Sequence, residues 1–372
     1  MATYKIAVLP GDGIGKEIIR EGIKVLRAVE EVFGKSLTFT FENFDAGAER
    51  FLKTGVTMPD GVFDQCKEAD AIFMGAIGLP EARYPDGREV SGDVIFKLRF
   101  DLDLYAGVRP VKLYPCIPGP LRDISKGIDY VIVRENIEGL YASRNGGCNV
   151  RNEVVTDTII VTRTGTRKIV DYAFRLAARR NGRPLDGKSI VTCVDKANVL
   201  KSYAFFRKIF QEIAAEYPQI ENECVYVDAM TAYQVLCPER FDVVVAENMF
   251  GDIISDLSSA TVGGLGLAPS GDIGDNYGLF QPAHGSAPDI AGKNIANPIA
   301  TILSAAMMLE WLGDKKTDSI AAKAGSMIHK AVNNVLEKGD HRTPDIGGNS
   351  SCSEMGNAVV AMISSSSLLK EG

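Results

Sequence analysis

Phe241-Asp-Val-Val-Val-Ala-Glu-Asn-Met-Phe-Gly-Asp-Ile-Ile-Ser-Asp256 reads as a strand running into a helix. The β-branched run Val243 to Val245, bounded by charge and ending at Glu247, predicts a buried strand, with a helix beginning near Gly251. Such a junction is where α/β proteins hold ligands. Asp252 and Asp256 are four apart, so on a helix both carboxylates leave the same face, one turn apart. At ~6 Å and an effective dielectric of about 20, two such charges cost each other roughly 3 kcal/mol. A hard divalent cation turns that repulsion into attraction. A second reading stands beside it, in which Asp252 caps the helix and Asp256 is solvated.

Working outward, strand-like runs repeatedly end in charge: Arg134 after Tyr130-Val-Ile-Val, Lys196 after Ile190-Val-Thr-Cys-Val-Asp, Asp228 after Glu223-Cys-Val-Tyr-Val, and Glu247 itself. That regularity points to a site at one edge of a sheet. Arg99 and Arg109 flank the end of a helix-like segment from Val94 to Tyr105. With Arg134 they suggest carboxylate recognition, because the guanidinium fork binds carboxylates through two parallel bonds; taken singly, each also reads as a surface ion-pair partner. The amino-terminal Leu9-Pro-Gly-Asp-Gly-Ile-Gly15 is a tight turn between strand and helix. It lacks the Gly-x-x-Gly tail of a dinucleotide fingerprint, so a structural turn is the better reading. Val154 to Thr164 predicts an exposed antiparallel strand, an arm that a second subunit would cover. Gln281 to Pro298 is a long, polar, glycine-rich loop, a length that is uncommon unless something binds there.

The chain has 372 residues, 45% of them hydrophobic, enough for two domains. A net charge of -7 without long single-sign runs argues against nucleic acid and anionic membranes as partners. Seven scattered cysteines without Cys-x-x-Cys spacing read as reduced thiols. With no membrane-length apolar run and no visible targeting segment, the expected compartment is cytoplasmic.

Nearly end to end, the sequence resembles the β-decarboxylating dehydrogenases, the isocitrate/isopropylmalate dehydrogenase family. The carriers are Leu9-Pro-Gly-Asp-Gly-Ile-Gly15, Leu98-Arg-x5-Tyr-x3-Arg-Pro110, Val133-Arg-Glu-Asn136, Asp195-Lys-Ala-Asn198, Asn248-x-Phe-Gly-Asp-x3-Asp256 and His284-Gly-Ser-Ala-Pro-Asp289. The resemblance implies an α/β, isopropylmalate dehydrogenase-like two-domain fold with a mixed, largely parallel sheet, not a Rossmann fold. Residues 1–104 plus 263–372 would form a large nucleotide-binding domain, and 105–262 a small domain with a dimerisation arm.

It further implies that Arg99, Arg109 and Arg134 hold the malate carboxylates. Asp252 and Asp256, with Asp228 of the partner subunit, would bind Mg2+ or Mn2+. Lys196 of the partner subunit would take the hydroxyl proton, and Tyr141 would protonate C3. NAD would lie along His284, Gly285, Ser286, Ala287, Asp289 and Asn297. Members that use NADP carry a basic residue and a tyrosine where this chain has Asp289 and Ile290, and a carboxylate repels a 2'-phosphate. Gln281 replaces a glutamate often found there, leaving that contact open.

Ile95 and Phe96, one turn before Arg99 and on its face of the helix, would meet the C3 substituent. An apolar pocket favours 3-isopropylmalate, oxidised and decarboxylated to 2-oxoisocaproate plus CO2. The motif Arg134-Glu-Asn-Ile-Glu-Gly139 instead resembles the D-malate and tartrate branch, which is the alternative. Isocitrate and homoisocitrate rank lower, since isocitrate dehydrogenases place polar residues in this stretch to bind the extra carboxylate, although Asp93 departs from the family's patterns. A non-catalytic regulatory subunit also ranks low, because Tyr141, Lys196 and all three aspartates are present. The expected assembly is a homodimer with shared active sites.

Overall fold

The computed structural model describes residues 2–122, 124–144 and 146–368. In chain order the strands are β1 (Ala2–Leu9), β2 (Leu37–Asn43), β3 (Ala71–Met74), β4 (Ala106–Lys112), β5 (Asp129–Glu135), β6 (Cys148–Val150), β7 (Val154–Thr156), β8 (Ile190–Asp195), β9 (Glu221–Tyr226), β10 (Val243–Ala246), β11 (Pro269–Ile273) and β12 (Gly278–Pro282). The helices are α1 (Gly15–Phe33), α2 (Ala48–Thr54), α3 (Val62–Glu68), α4 (Ser91–Asp101), α5 (Gly139–Ala142), α6 (Arg163–Ala177), α7 (Lys201–Ala214), α8 (Val227–Leu236), α9 (Asn248–Thr261), α10 (Ile299–Lys316), α11 (Ser319–Lys338) and α12 (Cys352–Leu368).

Ten strands form one sheet in the order β2-β1-β3-β12-β11-β4-β5-β10-β8-β9. Pairing is antiparallel only through the middle, from β12 through β11 and β4 to β5, and parallel on both sides. The sheet is therefore mixed and largely parallel, as the family resemblance implies. The parallel strands are apolar on both faces because helices cover both. On β10, Val243 and Val245 pack into one core with α6 and α7, while Val244 and Ala246 pack into another with Met230 of α8 and Ile254 of α9. On β1, Ile6 and Val8 likewise face one core while Ala7 and Leu9 face another. Each buried valine or isoleucine contributes roughly 1.5–3 kcal/mol.

The five strands from β2 to β11 come from residues before 105 and after 262, and the five from β4 to β9 come from between. The second group carries the arm, β6 paired with β7, both fully exposed.

Three local expectations are corrected. The helix after β10 starts at Asn248, not near Gly251. Asp252 is thus inside α9, and the capping alternative is excluded. Strand β9 stops at Tyr226, and Asp228 lies in the first turn of α8 rather than at a strand end. The strand predicted from Val154 to Thr164 spans only Val154–Thr156, because α6 begins at Arg163, where Thr162 caps it by accepting from the Gly165 amide.

Candidate active site

Asp272, Gly107, Arg134 and Ala246 lie side by side across β11, β4, β5 and β10. Register partners point to one face of a sheet, so this row builds a single surface. Gly107 contributes a gap. A Cβ there would come within 2.7 Å of Asn136 Oδ1, and the Asn136 amide uses that space to donate to Asp272 Oδ1 at 2.8 Å. Gly251 contributes a second gap. A Cβ there would lie 2.7 Å from Arg134 Cγ, so only glycine lets Arg134 lie against α9.

Arg99, Arg109 and Arg134 are all buried. Arg99, in the last turn of α4, donates from Nε to Asp272 Oδ2 at 3.0 Å and from Nη2 to Oδ1 at 3.3 Å. Gln281 also donates to Asp272 Oδ2, at 3.1 Å, so its role is to hold the acid that holds Arg99. Arg134 donates from Nε and Nη2 to Asn248 Oδ1 at 3.1 and 2.9 Å, and its Nη1 pairs with Asp252. Arg109 has no partner for its Nε among the described residues. Burial lowers the pKa of Arg109, and that of Arg134 to about 10, so Arg134 stays charged at neutral pH. A buried guanidinium with a vacant donor is poised for an anion.

Asp272 is the residue that sequence reading missed. Burial works to raise its pKa, but Arg99 and Arg109 override that and hold the carboxyl below the ordinary range. The available signal was charge balance, since three buried arginines need an internal anion. A carboxyl with a depressed folded-state pKa contributes stability above the ordinary carboxylate range, and loses it as pH falls through the folded value. Asp272→Asn is therefore expected to lower stability by about 3 kcal/mol or more at neutral pH. In denaturation titrations its gap from the unmodified protein should shrink below roughly pH 4. A gap that stays constant down to acid pH would contradict this role.

Asp252 and Asp256 leave one face of α9. Asp252 accepts from the Tyr141 hydroxyl at 3.3 Å, on α5. Burial, then the Asp252 charge, raise the Tyr141 pKa, so the phenol keeps its proton at neutral pH. Asp256 has an exposed carboxylate, yet partial desolvation and then Asp252 raise its pKa. Two adjacent carboxylates so arranged offer the oxygen donors that a hard divalent cation takes. Ile95 packs against the core beneath α4, and Phe96 turns its ring edge toward Tyr141, with centroids 6.0 Å apart.

Lys196 and Asp228 stand apart from this cluster. They pair with each other at 2.5 Å near the surface, and the Lys196 bond lowers the Asp228 pKa. None of their bonds among the described residues reaches the arginines, Tyr141 or α9. Glu247, also at a strand end, is buried and accepts from the Tyr203 hydroxyl at 3.0 Å, facing the interior.

The loop 283–298 arches over the ends of β1 and β3. The Ile14 amide donates to the Ser286 carbonyl at 2.9 Å, and Ser286 Oγ bonds the Gly78 carbonyl. Gly13, with φ +52°, lets the turn approach, since a Cβ there would lie 2.2 Å from the Ser286 carbonyl oxygen. Asp12 fixes the turn from inside, accepting from the amides of Ala48, Glu49 and Gly78 at 2.8 Å each. The glycine turn is thus a clasp for the loop. Glu17 accepts from the amides of Gly292 and Asn294, the latter at 3.1 Å. Asn297 caps α10 through the Ile299 amide at 3.0 Å and donates to Asp345, also at 3.0 Å. His284 is half-buried, its Nδ1 is 2.9 Å from the Gly285 carbonyl, and burial lowers its pKa. Gly285 and Asp289 are exposed and Ala287 is half-buried, leaving that rim of the loop open to a ligand.

A family model described as "Isocitrate/isopropylmalate dehydrogenase" matches residues 5–359. The chain is 44% identical to the 3-isopropylmalate/3-methylmalate dehydrogenase of Methanocaldococcus jannaschii, over 97% of this chain and 99% of that protein. It is 41% identical to the decarboxylating D-malate dehydrogenase of Escherichia coli, over 98% and 99%. The crystal structure of isocitrate dehydrogenase from Methylococcus capsulatus superposes with a TM-score of 0.83 at 37% identity, covering 97% of this chain and 99% of that one.

Proposed function

We propose, from the premise that this chain belongs to the isocitrate/isopropylmalate dehydrogenase family of decarboxylating oxidoreductases, that it oxidatively decarboxylates a 3-substituted malate, foremost 3-isopropylmalate, with NAD and Mg2+ or Mn2+. The products are 2-oxoisocaproate and CO2. The observation that carries this reading is the cluster of three buried arginines, Arg99 bonded to Asp272, Arg134 paired with Asp252 of α9, and Arg109 within electrostatic reach of Asp272, Asp252 and Asp256, beside the Tyr141 hydroxyl.

Arg99, Arg109 and Arg134 bind and orient the substrate carboxylates, Arg109 with its vacant Nε. Asp252 and Asp256, with Asp228 of the partner subunit, would hold the cation. Lys196 of the partner subunit takes the proton of the 2-hydroxyl. When bound, the cation would supply acidity to that hydroxyl and balance charge on its oxygen, and NAD would supply the acceptor for the C2 hydride. After CO2 leaves, Tyr141 delivers its proton to C3. His284, Gly285, Ser286, Ala287, Asp289 and Asn297 shape the NAD site, with Asp289 accepting from the adenosine ribose. Residues 1–104 with 263–372 form the nucleotide-binding domain and 105–262 the smaller one.

A homodimer with shared sites is supported by where exposed apolar side chains fall. Val199 and Leu200 follow Lys196, Val235 and Leu236 share α8 with Asp228, and Ile253 adjoins Asp252. Leu236 is 77% exposed, a cost that a second copy removes by covering it. The exposed valines of the arm, Val150, Val154 and Val155, extend that surface. No described helix is long and apolar enough to cross a membrane, and the proposed compartment is the cytoplasm.

D-malate is the second reading, favoured by the motif Arg134-Glu-Asn-Ile-Glu-Gly139 and by the 41% identity to a decarboxylating D-malate dehydrogenase. The test is NAD reduction with Mn2+ present, using 3-isopropylmalate, D-malate, tartrate, isocitrate and homoisocitrate. The highest kcat/KM is expected for 3-isopropylmalate, and NADP is expected to be at least about a hundredfold poorer than NAD. Isocitrate as the best substrate, or turnover unaffected by excess chelator, would refute the proposal.

A further inference from the structure

Arg144 is a half-buried cation close to the substrate region, and it enters no ion pair among the described residues. The acid that attracts it, Asp93, is already engaged by the Tyr84 hydroxyl at 2.5 Å and by Arg88 Nη1 at 3.2 Å. Its guanidinium instead lies over two aromatic faces, 4.2 Å from the centre of the Phe96 ring and 5.2 Å from that of Phe100. A partly dehydrated guanidinium without a carboxylate is well served by such faces.

The Phe96 ring is held from several sides. It stacks on Phe100 at 5.6 Å with planes 19° apart, and meets Tyr141 at 62°. Behind it is Gly92, four residues earlier on α4, where a Cβ would come within 2.8 Å of the ring carbons Cδ2 and Cε2. Any side chain at residue 92 would push the ring out of its seat. Helix α4 supplies Arg99, and α5 supplies Tyr141 with Arg144 just beyond its end. The seated ring therefore shares α4 with the carboxylate anchor Arg99 and lies against the phenol of Tyr141.

We infer that Arg144 is a positioning residue, which fixes Phe96 as a rigid wall for the C3 substituent and so selects a compact branched alkyl group. The inference rests on the substrate reading above. A wall held in place before binding favours the substituent that packs against it, and a loosened wall loses that packing on every encounter. D-malate has no C3 substituent, so it does not register the wall.

Arg144→Leu, assayed with NAD and Mn2+, is expected to lower kcat/KM for 3-isopropylmalate by roughly tenfold, mainly through KM. D-malate should change less than about twofold, and Arg144→Lys should restore most of the loss because it keeps a cation over the rings. Gly92→Ala displaces the ring while leaving Arg144 in place, and should shift the substrate ratio in the same direction. An equal fall for both malates, or an unchanged ratio in both variants, overturns the inference while leaving the substrate reading intact. An unmodified enzyme that turns over neither malate overturns both.

Discussion

Lys196→Met is expected to lower kcat by about a thousandfold or more while leaving the dissociation constant for NAD within about twofold. A positioned general base contributes typically 10²–10⁴ in rate, and methionine keeps the length of the side chain without its amine. In one chain the ammonium is committed to Asp228 at 2.5 Å. In the proposed homodimer, a second copy brings it to the cleft of α9. Pre-steady-state NADH formation should vanish along with steady-state turnover, because the lost step precedes hydride transfer. A variant that still produces a burst of NADH, or retains more than about a tenth of kcat, would remove Lys196 from the proton path. Excess small primary amine offers a further check, since partial rescue would tie the loss to the missing base.

Most of the architecture was legible because its signal is local. Val243 to Val245 are buried on both faces, and the sequence shows that as an uninterrupted apolar run. Asp252 and Asp256 share a helical face because four residues make about one turn. The helix start was misplaced for a physical reason. Gly251 looks like a boundary by propensity, yet it is needed inside α9 because Arg134 packs against it. The end of β9 was misplaced because Val227 favours a strand on its own, while the chain turns there into α8. Asp272 was not legible as a particular residue, since charge balance called only for some internal anion. It lies 173 residues from Arg99, and only the register of β11 with β4 and β5 carries it to the arginines. Asn136 and Asn248, which orient Asp272 and Arg134, are hidden in the same way. Both stand in motifs of the family resemblance, yet the bonds they make stay unreadable until the sheet order is known.

Asp252→Asn is expected to reduce activity at fixed Mn2+ by at least about a hundredfold and to raise the Mn2+ concentration needed for half-activation by a similar factor, since it removes a charged oxygen donor. The substitution also frees Arg134, which Asp252 pairs with in the single chain, so substrate KM should shift as well. The more informative use of this variant is in mixture with Lys196→Met. Each homodimer is expected to be almost inactive. In a mixed dimer, one site takes Asp252 from the Lys196→Met chain and Lys196 from the Asp252→Asn chain, and is intact; the other site carries both lesions. Random reassortment makes half of the dimers mixed, each with one working site of two, so about a quarter of the unmodified activity should return after unfolding and refolding the two together. Both variants are surface or cleft changes that leave the buried strands untouched, so each should refold alone and serve as its own control. If Lys196 and Asp252 instead served the same site from one chain, every site in every mixture would carry a lesion and nothing would return.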